Sequence, residues 1–250
     1  MTTLKNTVVI VTGAGSGFGA ATARAFAALG AKVVLADLRL DAAEEVAESI
    51  GSNALAVACD VSQGDQVVDL VQRCSDHFGP PDVVVNNAGT THVNQSMLNV
   101  DEDTFDRVFA VNVKSIYHMV KAVAPSMKER KQGVILNIGS VGALRPRPGL
   151  TWYNSSKGAV RTMTKSMAVE LAEDGIRVNL ISPVMSATGL LGDFMGVPDT
   201  PENRKRFVST IPLGRMCDPD DVANAAIYLA SPQARFLTGV EIPVDGGRSI

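Results

Sequence analysis

Seven short runs of apolar residues, rich in valine and isoleucine, are spaced along the whole chain. The runs are TVVIVTG, AKVVLAD, LAVACDV, DVVVNNAG, GVILNIGS, IRVNLISP and GVEIPVDGG. Near-continuous apolar runs are typical of parallel strands covered on both faces, whereas strands with one solvated face alternate between apolar and polar residues. The pattern therefore predicts seven buried parallel strands.

The segments between these runs have the amphipathic or alanine-rich spacing of helices. The predicted helices cover residues 20–29, 41–50, 65–78, 103–130, 154–172 and 219–230. Pro125 predicts a kink or a boundary near the end of the fourth helix. Because parallel neighbours need helical crossovers, the alternation predicts an α/β fold: a Rossmann-type doubly wound parallel β-sheet with helices on both faces.

A single domain over residues 1–250 is expected, because no linker, repeat or low-complexity tract interrupts the alternation. The composition, 46% hydrophobic and 20% charged, is typical of a globular protein. A net charge of -3 provides no basic excess, so no nucleic-acid partner is expected. The first apolar run is too short to cross a bilayer, so no membrane partner is expected either.

The cysteines and histidines give no pattern of metal ligands. Cys59, Cys74 and Cys217 are scattered and odd in number. The three histidines share no spacing with one another or with the cysteines. We therefore predict no metal, buried structural roles for the cysteines, and a reducing, cytoplasmic location.

Glycines dominate the turn after the first predicted strand, in VVIVTGAGSGFG. Position 18 is Phe, so the turn is not G-x-G-x-x-G but G-x-x-x-G-x-G. A tight turn, backbone room for a pyrophosphate and a helix N-terminus aimed at the anion all favour a dinucleotide here. A purely structural turn is the alternative. The predicted cofactor-binding residues of this turn are Gly13, Ser16, Gly17, Phe18 and Gly19.

Asp37 ends the second predicted strand, in KVVLAD. A carboxylate at this place can accept hydrogen bonds from both hydroxyls of an adenosine ribose. The 2′-phosphate of NADP would meet a like charge there, so Asp37 favours NAD as the cofactor. Arg39, two residues on, would partly offset that repulsion, and an ordinary turn aspartate is the competing interpretation.

Polar or small residues recur at the ends of the later strands, where ligands of an open α/β sheet bind. Each is also a common loop residue, and only their recurrence at successive strand ends supports a cofactor site. The predicted cofactor-binding residues of these ends are Asp60, Val61, Asn87, Ala88, Gly89, Pro183 and Thr188.

The segment TWYNSSKGAV places Tyr153 four residues before Lys157, near the start of a predicted helix. Residues four apart share a helix face, so the lysine ammonium can favour the tyrosine phenolate. A free tyrosine has a pKa of about 10, and a nearby cation is expected to lower it. Taken alone, the pair is equally compatible with an ordinary amphipathic helix surface.

Together these segments make the chain similar to the short-chain dehydrogenase/reductase family over essentially its whole length. The resemblance rests on TGAGSGFG, NNAG, Asn112 in VNVK, Ser140, Tyr153 with Lys157, and the closing IPVDGG. Val184 stands where the family frequently has glycine, and Ser155 where it often has alanine.

The resemblance implies a catalytic set of four residues. Tyr153 is the expected general acid/base, Lys157 also holds the nicotinamide ribose, Ser140 hydrogen-bonds the reacting oxygen, and Asn112 helps to organise a water-linked proton relay. Tyr153 and Lys157 therefore count among the cofactor-binding residues as well. The implied function is an NAD-dependent oxidoreductase that interconverts a secondary alcohol and a ketone.

The family resemblance also suggests a homotetramer, assembled through the helices predicted at 103–130 and 154–172. Two alternatives for the function stay open: an NADPH-dependent 3-oxoacyl-thioester reductase, and a non-catalytic dinucleotide-binding regulatory protein. The small-molecule alcohol or ketone is expected to meet a lid around residues 188–210. Arg145 and Arg147 suit an anionic substrate, although solvated loop arginines explain them equally well.

Overall fold

The computed structural model describes residues 4–187, 189 and 191–250. Their strands form one seven-stranded sheet, ordered β3-β2-β1-β4-β5-β6-β7, in which all pairs are parallel. The strands are β1 Val8–Thr12, β2 Lys32–Asp37, β3 Ala54–Ala58, β4 Val83–Asn86, β5 Gly133–Ile138, β6 Ile176–Pro183 and β7 Glu241–Val244. The fold is therefore a single Rossmann-like domain, as the apolar runs predicted.

Helices cover both faces of the sheet. They are α1 Gly17–Ala28, α2 Leu40–Ile50, α3 Gly64–Phe78, α4 Glu102–Phe109, α5 Ser115–Arg130, α6 Thr151–Leu171, α7 Leu191–Met195, α8 Pro201–Val208 and α9 Pro219–Ala230. Successive strand residues point to opposite faces. Val9 and Val11 therefore pack in one core cluster with Phe26 of α1, while Val8 and Ile10 pack in a second cluster with residues of α3 and α5.

The prediction of one continuous helix over 103–130 is wrong, because the middle of this segment is not α-helical. A π-helical segment, Ala110–Lys114, separates α4 from α5. Such segments shift the register of the helix and often lie at functional sites. Of the kink or boundary predicted at Pro125, the boundary is wrong, because α5 continues through this residue to Arg130, and the kink stays a prediction. Val123, Ala124 and Met127 are buried around the proline, and their packing offsets the one lost backbone hydrogen bond.

Two helices, α7 and α8, lie in the segment that was predicted to form a lid. The sequence pattern predicted no helix there. Helix α8 begins with Thr200, whose side chain accepts a hydrogen bond from the backbone N–H of Asn203, and Pro201 occupies its first turn. These are ordinary N-terminal signals, readable from the sequence. Whether the segment opens and closes stays a prediction. None of the helices within the described residues has both the length and the hydropathy needed to cross a membrane.

Candidate active site

A cavity of about 830 Å³ lies at the carboxyl ends of the strands. Strands β1 and β4 are neighbours in the sheet, and the strand order proceeds from them in opposite directions. Open α/β sheets bind their ligands at this switch point. The predicted residues that line the cavity are Gly13, Ser16, Gly17, Phe18, Asp37, Asp60, Val61, Asn87, Ala88, Gly89, Ser140, Tyr153, Lys157 and Pro183. Thr188 lies outside the described residues.

The glycine turn between β1 and α1 has the shape that an anion needs. Gly13 and Gly17 have positive φ angles of 63° and 53°, which side-chain-bearing residues rarely adopt. Ser16 is the N-cap of α1, but its side chain makes no capping hydrogen bond. The Ser16 hydroxyl and the first N–H groups of the helix therefore face the cavity without a capping partner.

Gly19 is the one predicted cofactor-binding residue of this turn that does not line the cavity. A Cβ at this position would lie 2.1 Å from the Gly13 carbonyl oxygen, so Gly19 allows the helix to pack closely against the turn. Asn87 supports the same turn, because its Nδ2 donates to the carbonyl oxygens of Thr12 and Gly13 at 2.8 and 3.1 Å. Both residues therefore fix the shape of the glycine turn.

The carboxylate of Asp37 stands beside the glycine turn, at the end of β2. Its Oδ2 accepts a hydrogen bond from the backbone N–H of Gly15 at 2.8 Å, and its Oδ1 accepts one from Arg39 at 3.0 Å. Asp60 follows β3, and its Oδ1 accepts hydrogen bonds from the N–H and hydroxyl of Ser62. The glycine cradle, the helix N-terminus and Asp37 together fit a nicotinamide dinucleotide, with Asp37 at the adenosine ribose.

Tyr153 and Lys157 lie in the first two turns of α6, which begins at Thr151. The two side chains are only 7% and 5% exposed. The Lys157 ammonium donates a 2.8 Å hydrogen bond to the carbonyl oxygen of Ile138 and lies 6.0 Å from the centre of the Tyr153 ring. The pair is therefore not helix surface, because both groups are buried in the cavity wall.

The pKa of Tyr153 moves in the direction opposite to the prediction. Burial raises it to about 12, and the hydrogen bond with Ser140 opposes the rise. Burial also lowers the pKa of Lys157 to about 8. Desolvation disfavours the charged form of each group, and it is the largest cause of both shifts. The phenol is therefore neutral at pH 7 and holds a proton to donate.

Ser140 comes from a different strand but meets Tyr153 directly. It follows β5, and its hydroxyl oxygen accepts a 3.0 Å hydrogen bond from the backbone N–H of Gly142. The same side chain lies close enough to the Tyr153 phenol to oppose the rise in its pKa, and both groups line the cavity. A substrate oxygen placed beside these two groups would meet two hydroxyls, which is the arrangement required to polarise a carbonyl.

Asn112 lies in the π-helical segment, is 2% exposed and does not line the cavity. Its Nδ2 donates to the Thr90 carbonyl oxygen and to Ser156 Oγ, both at 2.9 Å. Its Oδ1 accepts from the Thr90 N–H at 2.8 Å. The amide thus ties the loop after β4 to α6 close to Lys157. The proton-relay role predicted for Asn112 remains a prediction, and the contacts give it a positioning role.

Several cavity residues were not predicted from the sequence. Phe194 of α7 contacts Tyr153 edge-on, with ring centres 4.9 Å apart. Arg206 and Phe207 of α8 and Arg248 after β7 also line the cavity, together with Arg147. Ser186 lines it too, and its buried hydroxyl has no partner among the described residues. Phe194, Arg206 and Phe207 fall within the predicted lid around residues 188–210. No local pattern indicates Ser186 or Arg248, because only the fold brings these distant segments to one wall.

The two positions that differ from the family pattern leave the site intact. Val184 lines the cavity, and its backbone N–H donates to the Val244 carbonyl oxygen at 3.1 Å, which extends the pairing of β6 with β7. Ser155 is exposed, and its hydroxyl donates to the Thr151 carbonyl oxygen within α6.

The fold and the site together define an oxidoreductase built on a dinucleotide-binding sheet. A family model described as enoyl-(acyl carrier protein) reductase matches residues 13–249. The chain is 48% identical to 4-formylbenzenesulfonate dehydrogenase of Comamonas testosteroni over 99% of both chains. It is 39% identical to meso-2,3-butanediol dehydrogenase of Serratia marcescens, over 97% of this chain and 94% of the relative. The chain belongs to the short-chain dehydrogenase/reductase family.

Solved structures agree with this assignment. The fold matches the crystal structure of a 3-ketoacyl-(acyl-carrier-protein) reductase from Brucella melitensis complexed with NADH, with a TM-score of 0.95. The two sequences are 47% identical, and the match covers 99% of this chain and 100% of the other.

Proposed function

We propose that the protein is an NAD-dependent oxidoreductase that interconverts a secondary alcohol and a ketone, with Tyr153 as the general acid/base. The contact between Ser140 and Tyr153, beside the buried Lys157, supports this most directly. These three groups converge in the same cavity as the glycine turn. A bound nicotinamide supplies the hydride to the carbonyl carbon in reduction, or accepts it from the carbinol carbon in oxidation.

In the reductive direction, the residues of this chain provide the proton and stabilise the charge that it leaves behind. The substrate carbonyl oxygen accepts hydrogen bonds from Ser140 and Tyr153. As the carbonyl carbon gains the hydride, the phenol O–H bond breaks and its proton passes to the substrate oxygen. The resulting phenolate is stabilised by the Lys157 ammonium and the Ser140 hydroxyl. In oxidation the phenolate accepts the alcohol proton.

The preference for NAD is supported by Asp37. Its two carboxylate oxygens are held by backbone N–H groups of Gly15 and Arg39, so the charge is fixed at the end of β2. A 2′-phosphate would be repelled there, whereas ribose hydroxyls would be accepted. The structural neighbour from Brucella melitensis holds NADH. Measuring kcat/KM with NAD and with NADP tests the proposal, and a higher value with NADP would contradict it.

An NADPH-dependent 3-oxoacyl-thioester reductase is the second candidate. Relatives with that activity in their names favour it, including a 3-oxoacyl-[acyl-carrier-protein] reductase of Thermotoga maritima that is 36% identical to this chain. Asp37 disfavours it, because NADPH would bring its phosphate to the carboxylate. A non-catalytic regulator would not need Ser140, Tyr153 and Lys157 together. A screen of NAD reduction and NADH oxidation over sugars, polyols, hydroxy acids, cyclic alcohols, aromatic carbonyl compounds and 3-oxoacyl thioesters separates the three.

We also propose a homotetramer that assembles through the segment 103–130 and helix α6. Exposed apolar side chains on these elements support it, with Tyr117 52% and Val169 80% exposed in the single chain. Association of chains would remove these apolar side chains from water, which is favourable. Light scattering coupled to size-exclusion chromatography tests the assembly. A mass about four times the chain mass of 26.3 kDa is expected, and a monomer would contradict it.

A further inference from the structure

The carboxylates that line the active-site cavity lie on one side of the switch point, whereas arginines line both sides, with Arg39 beside Asp37 and Arg107 on α4. The acidic residues among those that line it, Asp37 and Asp60, follow β2 and β3. Arg145 and Arg147 follow β5, and Arg248 follows β7, on the other side of the β1 and β4 pair. Arg206 of α8 also lines the cavity. The side away from the adenosine ribose site is therefore cationic.

Arg147 is held in the wall rather than extended into solvent. Its guanidinium lies over the ring of Phe207, 4.4 Å from the ring centre, and the residue is partly buried. Its backbone carbonyl oxygen accepts a 3.1 Å hydrogen bond from the Nδ2 of Asn154, the residue next to Tyr153. Burial and the charge of Arg248 both lower the pKa of Arg147. Two guanidinium groups thus repel each other close to the catalytic helix.

These cations have no acidic partner in the part of the chain that the structure describes. No ion pair there includes Arg147, Arg206 or Arg248. Arg204, on the same helix as Arg206, shows the contrast, because its guanidinium binds both carboxylate oxygens of Asp199. A partly buried cation without a carboxylate is costly unless a ligand supplies one.

Arg145 has a different role from Arg147, although the sequence suggested the two as a pair. Its guanidinium donates to the carbonyl oxygens of Arg248 and Ile250, at 2.9 and 3.4 Å. The carboxylate of Asp245 accepts hydrogen bonds from the N–H groups of Gly247 and Ser249 at 2.9 and 2.7 Å. These bonds fix the segment after β7 and hold Arg248 near Arg147. Arg145 therefore acts as a positioning residue.

We propose that Arg147, supported by Arg206 and Arg248, forms a subsite for an oxyanion on the substrate, a carboxylate or a sulfonate. This rests on the proposed function, because it names the substrate class of the same site. The planar fork of a guanidinium matches a carboxylate or sulfonate edge, and the anion would relieve the repulsion between Arg147 and Arg248. The substrate is then an alcohol or ketone with an anionic group at its far end.

A matched pair of ketones tests the subsite: 4-acetylbenzoate and its neutral amide, 4-acetylbenzamide. Calorimetric titration with saturating NAD measures binding without turnover, because NAD and the ketone are both oxidised and neither can donate a hydride. The same titrations without NAD measure binding of the two ketones even if the protein does not bind this coenzyme. The variants are Arg147→Met, Arg147→Lys and Arg248→Gln. Arg73→Gln is the control, because Arg73 is exposed on α3 and does not line the cavity.

Wild type is expected to bind the carboxylate about tenfold to a hundredfold more tightly than the amide. Arg147→Met reduces this ratio to about one, Arg147→Lys and Arg248→Gln leave it intermediate, and Arg73→Gln keeps the wild-type ratio. Thermal melting of each variant confirms that it is folded.

A ratio near one in the wild type, with or without NAD, would overturn the subsite. The subsite would also be overturned if a folded Arg147→Met kept the wild-type preference for the carboxylate. The same holds if Arg73→Gln lost that preference as fully as Arg147→Met. Turnover of the two ketones with NADH separates this from the proposed function. Selective binding of the carboxylate without hydride transfer to either ketone would count against the oxidoreductase but not against the subsite.

Discussion

The Oδ2 of Asp37 accepts a 2.8 Å hydrogen bond from the backbone N–H of Gly15, which joins the end of β2 to the glycine turn after β1. The carboxylate therefore has two roles. It orders the glycine turn, and in the proposed function it would place a fixed negative charge beside the 2′-phosphate of a bound NADP.

Replacing that charge is expected to change the coenzyme preference. In Asp37→Asn, the ratio of kcat/KM for NADP to that for NAD rises at least about tenfold, because the repulsion of the phosphate is removed. Steady-state kinetics with both coenzymes measure the ratio. Asp76→Asn is the control, since Asp76 is exposed on α3, away from the cavity. An unchanged ratio in Asp37→Asn would show that the carboxylate does not select the coenzyme.

The pH dependence of alcohol oxidation follows from the two buried groups. Oxidation requires the phenolate of Tyr153, whose pKa is raised to about 12, so the rate should rise with pH from neutrality. The Lys157 ammonium, with its pKa lowered to about 8, loses its charge in the same range, and the phenolate then loses its cation. We expect kcat/KM for oxidation to rise from pH 6 and to bend near pH 8. A flat profile between pH 6 and 9 would contradict this.

Removal of the cation is expected to impair catalysis more than folding. Lys157→Met should lower kcat about 10²- to 10³-fold, because the developing phenolate loses its electrostatic partner. Lys165→Met is the matched control, since Lys165 is exposed on the same helix. Stopped-flow measurement of NADH formation compares the two. Equal rates in both variants would exclude a catalytic role for the Lys157 ammonium.

Loss of the Asn112 amide should destabilise the protein. Asn112→Ala leaves the partly buried Thr90 N–H and C=O groups and the buried Ser156 Oγ without this partner, at a cost of about 2–4 kcal/mol in the free energy of unfolding. Urea denaturation measures the loss. Asn224→Ala on α9 should change stability by less than about 0.5 kcal/mol, because Asn224 is exposed. Similar stability of both variants would contradict the positioning role.

The central strands were predictable because parallel strands covered on both faces need continuous apolar residues. The edge strands β3 and β7 are less buried than the runs predicted, because each has a neighbour on one side only. The cofactor turn was predictable for a similar reason: Gly13 and Gly17 adopt backbone angles that glycine favours. Local chemistry determines these features, so a local pattern is enough to find them.

The π-helical segment was not predictable in the same way. Its register is stabilised by bonds from Asn112 to Thr90 and Ser156, which are 22 and 44 positions away. The direction of the Tyr153 pKa shift was missed for a related reason. The spacing to Lys157 was visible in the sequence, but the burial that raises the pKa of Tyr153 depends on the whole fold. The proposed anion subsite was also not predictable as a whole, because Arg147, Arg206 and Arg248 come from separate segments: after β5, in α8 and after β7.

The conversion of Tyr153 to phenylalanine tests the central claim most directly. Tyr153→Phe removes one hydroxyl from the cavity wall, and Tyr228→Phe makes the same change on α9, where the side chain is 46% exposed. In a single-turnover measurement with saturating NAD, Tyr153→Phe should slow hydride transfer about 10²- to 10⁴-fold while NAD binding stays within a few-fold of wild type. Tyr228→Phe should match wild type in both. Near-normal hydride transfer in Tyr153→Phe would contradict Tyr153 as the general acid/base.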